Sequence, residues 1–254
     1  MILSLLALLA QAPASDVAAG DEANYRRCVA LVQSDPERAV ASAEDWRLHG
    51  GGLFARQCLG QAYARLERWQ PAAVAFEQAA REAETEKDPR RADFWVQAGN
   101  AWLAANDGVK ARNAFDAALA AGSLSEALRG EVHLDRGRAN VALGDLAAAR
   151  HDVDRGLELV PDDAFGWYLS SALALRQEEL PRARNDIARA IELAPDDPDL
   201  LLLAGNIAGI SGEEEAARGL YMRAIRLAPD SPAGKRAQAA LAANSGEDGE
   251  PDQP

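Results

Sequence analysis

The sequence predicts an all-α solenoid built from a helix-turn-helix unit that recurs along most of the chain. Three prolines, Pro161, Pro195 and Pro229, are separated by 34 residues each time. Small residues recur at matched positions between these prolines, and a fixed period of this kind is typical of stacked helical repeats. Hydrophobic residues form 48% of the chain but aromatic residues only 6%, so we expect a core made largely of alanine and leucine.

The unit is clearest in the segment FWVQAGNAWLAANDG at residues 94–108. Positions i, i+3, i+4 and i+7 of one helix face hold two large and two small residues: Trp95, Ala98, Gly99 and Trp102. Residues 106–108 predict a turn, and a second helix follows. The two tryptophans could line a ligand pocket or stack on nucleic acid. Because Trp167 occupies the position that matches Trp95, we favour core packing.

Five copies of the unit cover residues 53–230. Their first helices share a small residue at one position, which is Gly60, Gly99, Gly137, Ser171 and Gly205 in turn. Their second helices share a larger apolar residue, which is Phe76, Phe115, Val153, Ile187 and Tyr221. These copies resemble the tetratricopeptide repeat, whose pattern is W-x2-L-G-x2-Y…A-x3-F…P. The resemblance implies a right-handed α-solenoid in which the first helix of each pair lines a concave groove.

The flanking segments complete the domain organisation. Residues 15–52 form a degenerate first repeat, in which Asp35-Pro36 begins a helix. Residues 231–244 read as a capping helix that covers the open end of the array. Residues 245–254 contain no apolar anchor and are expected to be disordered. Two intervals, from Gly60 to Gly99 and from Gly99 to Gly137, exceed the 34-residue period, so longer second helices or longer loops are expected there.

Capping residues, prolines and turn segments predict where several helices begin and end. Three residues stand where an N-cap is needed, namely Asp163, Asp197 and Ser231. Pro198 and Pro232 stand at the first helical position, where the missing N–H costs nothing. The segments 143–145 and 211–213 predict turns within repeats. Ser211 and Glu214 have the spacing of a capping box.

The beginning of the chain predicts export. Residues 2–10 are an apolar run that is too short to span a bilayer as a helix. Ala12-Pro13-Ala14 then suits signal-peptidase cleavage, which defines a signal peptide over residues 1–14. No basic residue precedes the run, so the alternatives are an ordinary apolar helix start and a wrongly assigned start codon. No later segment has the length of a membrane span, and we expect a bacterial protein exported to the periplasm.

Two cysteines, Cys28 and Cys58, are the only ones in the chain. In an exported protein a pair suggests one disulfide bond. In a cytosolic protein the same residues would more often be buried thiols. Both interpretations stay open at this point, and redox catalysis is not indicated because the two residues do not form a C-x-x-C motif.

Composition and motifs exclude several classes of function. The net charge of −13 argues against nucleic acid and anionic membranes as partners. The segment RHDVD at 150–154 could supply metal ligands, but His151 and Asp152 flank two core positions, so a solvated helix face is expected. No catalytic motif or zinc-binding spacing occurs. We therefore predict no enzyme activity, no metal and no cofactor.

The family resemblance also implies where a partner would bind. Counted from the tryptophan position of each repeat, residues one, five, eight and nine further on should face the groove. The residues selected are Gln57, Gln61, Arg65, Val96, Asn100, Leu134, Arg138, Tyr168, Arg176, Leu202, Asn206 and Ile210. Amides, arginines and apolar side chains together suit an extended peptide. The Lys-and-Asn carboxylate clamp of some family members is not predicted, because Val96 precedes Asn100 and Leu202 precedes Asn206.

The predicted function is a protein-interaction scaffold that docks a peptide segment or a partner protein in its groove. One alternative is an accessory or regulatory subunit of a cell-envelope enzyme or secretion complex, bound through another face. A second alternative is an enzyme with an unrecognised site in the irregular N-terminal part. The sequence does not identify the partner.

Overall fold

The computed structural model describes the backbone of residues 14–246 and the side chains of residues 21–243. In this part of the chain all regular structure is α-helical, in thirteen helices: α1 (Ala14–Ser34), α2 (Pro36–Leu48), α3 (Gly52–Arg65), α4 (Trp69–Glu86), α5 (Arg91–Ala104), α6 (Gly108–Ala120), α7 (Glu126–Ala142), α8 (Leu146–Leu159), α9 (Ala164–Arg176), α10 (Leu180–Leu193), α11 (Pro198–Ile210), α12 (Glu214–Leu227) and α13 (Pro232–Gly246). The predicted signal peptide and acidic tail lie outside the described residues, except where Ala14 begins α1 and where α13 ends.

The helices form two compact units, with the boundary between Ser123 and Leu124. The first unit contains α1–α6 and the second contains α7–α13. Within each unit, helices that are consecutive in the sequence pack against each other as helix-turn-helix pairs. The predicted all-α solenoid of tetratricopeptide-like repeats is confirmed. Among helices 14–246, none is both long and apolar enough to cross a bilayer.

In three repeats the small residue of the first helix admits an aromatic ring from the second helix. A Cβ placed on Gly99 would lie 2.5 Å from the ring of Phe115. Gly205 has the same relation to Tyr221, at 2.5 Å. Trp95 and Trp102 are 9% and 2% exposed, which confirms their assignment to the core. The repeat therefore depends on matched small and large residues, because neither helix can bury its apolar face alone.

Each turn within a repeat places one residue in the left-handed region of the backbone. The residues are Glu67 (φ 56°), Asn106 (φ 59°), Gly144 (φ 77°), Glu178 (φ 61°) and Gly212 (φ 74°). Only glycine adopts this conformation without steric strain, and asparagine tolerates it better than most residues. The two glutamates therefore carry a local cost that Gly144 and Gly212 avoid.

Replacing Glu178 with glycine is expected to raise the free energy of unfolding by about 0.5–1 kcal/mol. The relief of left-handed strain exceeds the larger chain entropy that glycine loses on folding. Thermal unfolding followed by circular dichroism measures the effect. Gly212→Ala is the matched control and should destabilise the protein. Equal or lower stability of Glu178→Gly would contradict this account of the turn.

Most of the predicted helix caps are present in the structure. The Asp197 carboxylate accepts hydrogen bonds from the N–H groups of Asp199 and Leu200, at 2.8 and 3.3 Å. Asp163 caps α9 in the same way, and the hydroxyl of Ser231 accepts from Gly234 N at 3.0 Å. These three N-caps are confirmed.

The predicted capping box at Ser211 and Glu214 is wrong. Helix α12 has Glu213 as its N-cap residue, without a side-chain cap hydrogen bond. The Ser211 hydroxyl instead donates to the carbonyl oxygen of Ile207 at 2.9 Å. Ser211 therefore terminates the preceding helix, and its side chain points away from the N–H groups that begin α12.

The two intervals longer than 34 residues are accommodated in different ways. Helix α4 has 18 residues and lengthens the second helix of its repeat. Helix α7 has 17 residues, so the later insertion extends a first helix and the connection that precedes it. The expectation of longer second helices or loops therefore holds for the first interval and only in part for the second.

The N-terminal helices are held by a disulfide bond. The structure joins Cys28 of α1 to Cys58 of α3, with the two Cα atoms 6.2 Å apart. Both cysteines are buried in a cluster that includes Val32, Ala39 and Leu59. The bond closes a loop across the predicted degenerate repeat, where alanines and a few larger side chains form the surrounding core.

A buried ion cluster connects α7 and α8, and it corrects the prediction of a solvated face at RHDVD. Asp152 is 2% exposed. Its carboxylate accepts hydrogen bonds from Arg136 Nε at 2.9 Å and Asn140 Nδ2 at 2.9 Å, and lies 3.1 Å from His133 Nδ1. Burial raises the pKa of Asp152, but hydrogen bonds from His133 and Arg136 outweigh burial and hold it below its usual value. His151 is exposed as expected.

Candidate partner-binding site

The predicted groove residues of the first unit lie on α3 and α5. Arg65 and Asn100 are exposed, and Gln57 and Val96 are half-buried. Gln61 is half-buried as well, and its side-chain amide donates to the hydroxyl of Tyr25 on α1 at 3.1 Å. Gln61 is therefore engaged within the unit, while the exposed polar residues beside it remain accessible.

Two of the predicted groove residues in the second unit are buried, which corrects their assignment. Leu134 is 3% exposed and fills the space left by Gly156 and Gly166, whose added Cβ atoms would lie 2.7 and 2.9 Å from it. Leu202 is 8% exposed and belongs to a core cluster with residues of α12 and α13. Both side chains pack against neighbouring helices of their own unit, so neither is accessible to a partner.

The other predicted residues of the second unit remain at the surface. Arg138 and Arg176 are exposed, and Tyr168 is half-buried. Asn206 is exposed and accepts a hydrogen bond from the Tyr221 hydroxyl at 2.9 Å. Ile210, the last residue of α11, is 66% exposed.

An apolar pocket of about 170 Å³ opens between α7 and α9. Its lining residues come from three helices: Gly137, Arg138, Val141, Val153, Leu169, Ala172, Leu173 and Arg176. Apart from the two arginines, every lining side chain is aliphatic or absent. The structure therefore brings together Arg138 and Arg176, two residues from different repeats that the sequence selects separately.

The two arginines differ in their present partners. Arg138 forms an ion pair with Asp135 at 2.7 Å, on the same helix. Among the described residues, no carboxylate lies within ion-pair distance of Arg176. The Arg176 guanidinium is therefore available to a carboxylate of a partner. The mouth of the pocket is therefore a locally cationic site.

An aromatic pair adjoins the pocket on the side of Arg138. The rings of Phe165 and Tyr168 stack with centroids 5.9 Å apart, and Phe165 is 49% exposed. The Arg138 guanidinium lies 5.7 Å from the centroid of Phe165, within reach of a cation–π interaction. Burial raises the pKa of Tyr168 above its ordinary value.

Two lining residues of the pocket satisfy the spacing that selects groove positions, but the sequence analysis did not name them. Val141 lies eight residues after the tryptophan-equivalent position of its repeat, and Ala172 lies five after the same position in the next. Neither was among the predicted groove residues, although apolar residues such as Val96 and Ile210 were. Phe165 was missed although a large apolar residue at an exposed helix start is a usable signal.

The arrangement is suited to binding a partner. Across the residues whose side chains are described, no group of three His, Cys, Asp or Glu residues is placed to hold a metal ion. The pocket contains no nucleophile paired with a base, since its polar groups are two guanidinium ions. Such a site can bury one apolar side chain and pair with carboxylates beside it.

Fold and site together define a helical-repeat protein with the tetratricopeptide-repeat fold. Pseudomonas aeruginosa PilF has a TM-score of 0.67 at 16% identity, over 87% of this chain and 97% of that chain. PilW, a widely conserved type IV pilus biogenesis factor, has a TM-score of 0.71 at 19% identity, over 85% and 97%. YrrB, a TPR protein with an unusual peptide-binding site, has a TM-score of 0.53 at 19% identity, over 77% and 96%.

These likenesses show the fold, and the resemblance to tetratricopeptide repeats is confirmed at that level. No family model matches the sequence. No curated protein matches it.

Proposed function

We propose that this protein is an interaction scaffold that docks an extended peptide segment or a partner protein on the first-helix surface of its repeats. One observation carries the proposal, namely the apolar pocket between α7 and α9 with Arg138 and Arg176 at its mouth. The pocket leaves the apolar side chains of Val141, Leu169 and Leu173 beside an open space, which an apolar side chain of a partner can fill. The exposed Ile210, in the same unit as the pocket, adds an accessible apolar contact.

Binding without chemistry fits the side chains at this site. Guanidinium groups remain protonated and cannot serve as general bases at neutral pH. The strong negative charge of the chain disfavours nucleic acid as the partner. The proposal therefore assigns no catalytic residue, metal or cofactor to the protein.

We also place the protein outside the cytosol, in the periplasm. The apolar run at residues 2–10 supports this location, as does the disulfide between Cys28 and Cys58, because such bonds persist in oxidising compartments. Cell fractionation with mass spectrometry tests the proposal. A processed periplasmic form is expected, and a full-length cytosolic form would contradict it.

Affinity capture from an extract of the source organism tests the scaffold function. The groove variant Arg138→Glu/Arg176→Glu should lose proteins that the wild type retains. The control variant Arg155→Glu/Arg218→Glu makes the same change of charge at exposed positions of the second helices α8 and α12. It should capture the same proteins as the wild type. Equal capture by all three forms would refute docking at this surface.

A second candidate is an accessory subunit of a cell-envelope assembly, bound through the second helices. The observation that favours it is the similarity to PilF and PilW over more than four fifths of this chain. PilW is described as a type IV pilus biogenesis factor. The same capture experiment separates the candidates, because here the second-helix control would lose the partner and the groove variant would keep it.

A further inference from the structure

We infer that the pocket between α7 and α9 takes one leucine- or phenylalanine-sized side chain of an acidic partner segment, whose carboxylates pair with Arg138 and Arg176. The inference rests on the proposed function, because it names the ligand class for the same surface. It concerns one site within the second unit, and all of its residues lie between positions 137 and 176.

The size and the lining of the pocket determine which side chain of a partner it can accept. Its volume of about 170 Å³ is close to that of an apolar cavity of roughly 150 Å³ that binds benzene. The walls, from Val141, Leu169 and Leu173, offer no hydrogen-bonding side chain. One aliphatic or aromatic side chain therefore fits, whereas a polar side chain would lose its hydration without gaining a partner.

The pocket exists because its repeat lacks the aromatic ring that three of the five repeats carry. In the repeats that contain Phe76, Phe115 and Tyr221, an aromatic ring covers the glycine of the first helix at 2.5–2.6 Å from an added Cβ. In the pocket repeat the corresponding residue is Val153, which approaches Gly137 at 2.9 Å with a single methyl group. Valine is shorter than a phenyl ring, so the space that a ring would occupy stays open beside Gly137.

The arginines at the mouth of the pocket determine which charge is favoured beside that side chain. Arg138 and Arg176 approach from two first helices, and only Arg138 is paired, with Asp135. Guanidinium groups bind carboxylates through two parallel hydrogen bonds when geometry allows. An aspartate or glutamate next to the apolar anchor would pair with Arg176 and compete for Arg138. A basic segment would instead meet repulsion.

Fluorescence anisotropy with three labelled peptides tests the inference. The first peptide has one central leucine between pairs of aspartates, the second replaces the leucine with serine, and the third replaces the aspartates with lysines. The full-length protein should bind the acidic leucine peptide with a micromolar Kd. The serine peptide should bind about 10-fold to 100-fold more weakly, and the lysine peptide should show no saturable binding.

Two protein variants report on the two halves of the site. Val153→Phe copies the residue found at the matching position of two other repeats and should fill the pocket, which lowers affinity for the leucine peptide about tenfold or more. Arg176→Glu should lower it about fivefold and raise affinity for the lysine peptide. Arg155→Glu, on α8 and outside the pocket, should bind as the wild type does. Circular dichroism confirms that each variant is folded.

Several results would overturn the inference. These are equal binding of the leucine and serine peptides, unchanged binding by Arg176→Glu, and absence of binding to the acidic leucine peptide. If Val153→Phe fails to fold, the serine peptide still tests the apolar anchor. If the capture experiment shows dependence on Arg138 and Arg176 while the peptide preference is absent, the proposed scaffold function stands and this ligand class is wrong.

Discussion

Replacing Asp152 with alanine is expected to lower the free energy of unfolding by about 3–5 kcal/mol, because the change leaves buried cationic and polar groups without their acceptor. The side chain of Asp152 is 3% exposed, and those of Arg136 and His133 are 20% and 13% exposed. Asn140 also loses its 2.9 Å hydrogen bond to the carboxylate. Urea unfolding followed by circular dichroism measures the loss.

Asp162→Ala provides the matched control for this prediction. Its side chain is 82% exposed and pairs with Arg189 at the surface, so its removal should cost less than about 1 kcal/mol. A cost for Asp152→Ala no greater than that of Asp162→Ala would show that the cluster does not stabilise the second unit.

The same cluster should make the free energy of unfolding depend on pH in the acidic range. The pKa of Asp152 in the folded protein is lowered, so its stabilising effect is complete above the ordinary aspartate pKa of about 3.9. The effect is lost as pH falls through the lowered pKa. The Asp152→Asn variant should therefore lose less stability than the wild type over that window.

Removing the Cys28–Cys58 disulfide is expected to cost about 3–4 kcal/mol in the first unit. The bond spans 30 residues in the sequence, and a cross-link of this length restricts the unfolded chain by about that free energy. In the Cys28→Ala/Cys58→Ala variant the amide hydrogens of α1 and α2 should exchange faster than in the wild type, and those of the second unit should exchange at an unchanged rate.

Thiol titration under non-reducing, denaturing conditions is the direct check on the bond. No free thiol is expected in the purified protein, and two free thiols would contradict the disulfide. Unaltered exchange in α1 and α2 of the double variant would show that the bond contributes nothing to their stability, since the helices would then be held by packing alone.

The repeat architecture could be predicted because its signals are local and periodic. Proline spacing, the small residue at Gly99 and the N-caps at Asp163 and Asp197 each depend on a few neighbouring residues. The capping box at Ser211 failed because a serine at a helix end can serve either the helix before it or the helix after it. The sequence pattern does not distinguish the two choices.

The buried cluster and the pocket could not be predicted in the same way, because both depend on contacts between helices. Asp152 borders the core face of α8, and only the polar residues His133, Arg136 and Asn140 on α7 make its burial tolerable. The spacing of those three residues at i, i+3 and i+7 is the available signal. The Leu134 and Leu202 assignments failed because the position one residue after the tryptophan slot faces neighbouring helices in those repeats.

Methyl chemical shifts recorded during titration with the partner recovered by affinity capture test the central claim most directly. If the partner docks on the first-helix surface, the shifts should concentrate on Val141, Leu169 and Leu173, which line the pocket between α7 and α9. Shifts confined to second-helix residues such as Val109 and Leu227, with the pocket methyl groups unchanged, would contradict docking on the first-helix surface.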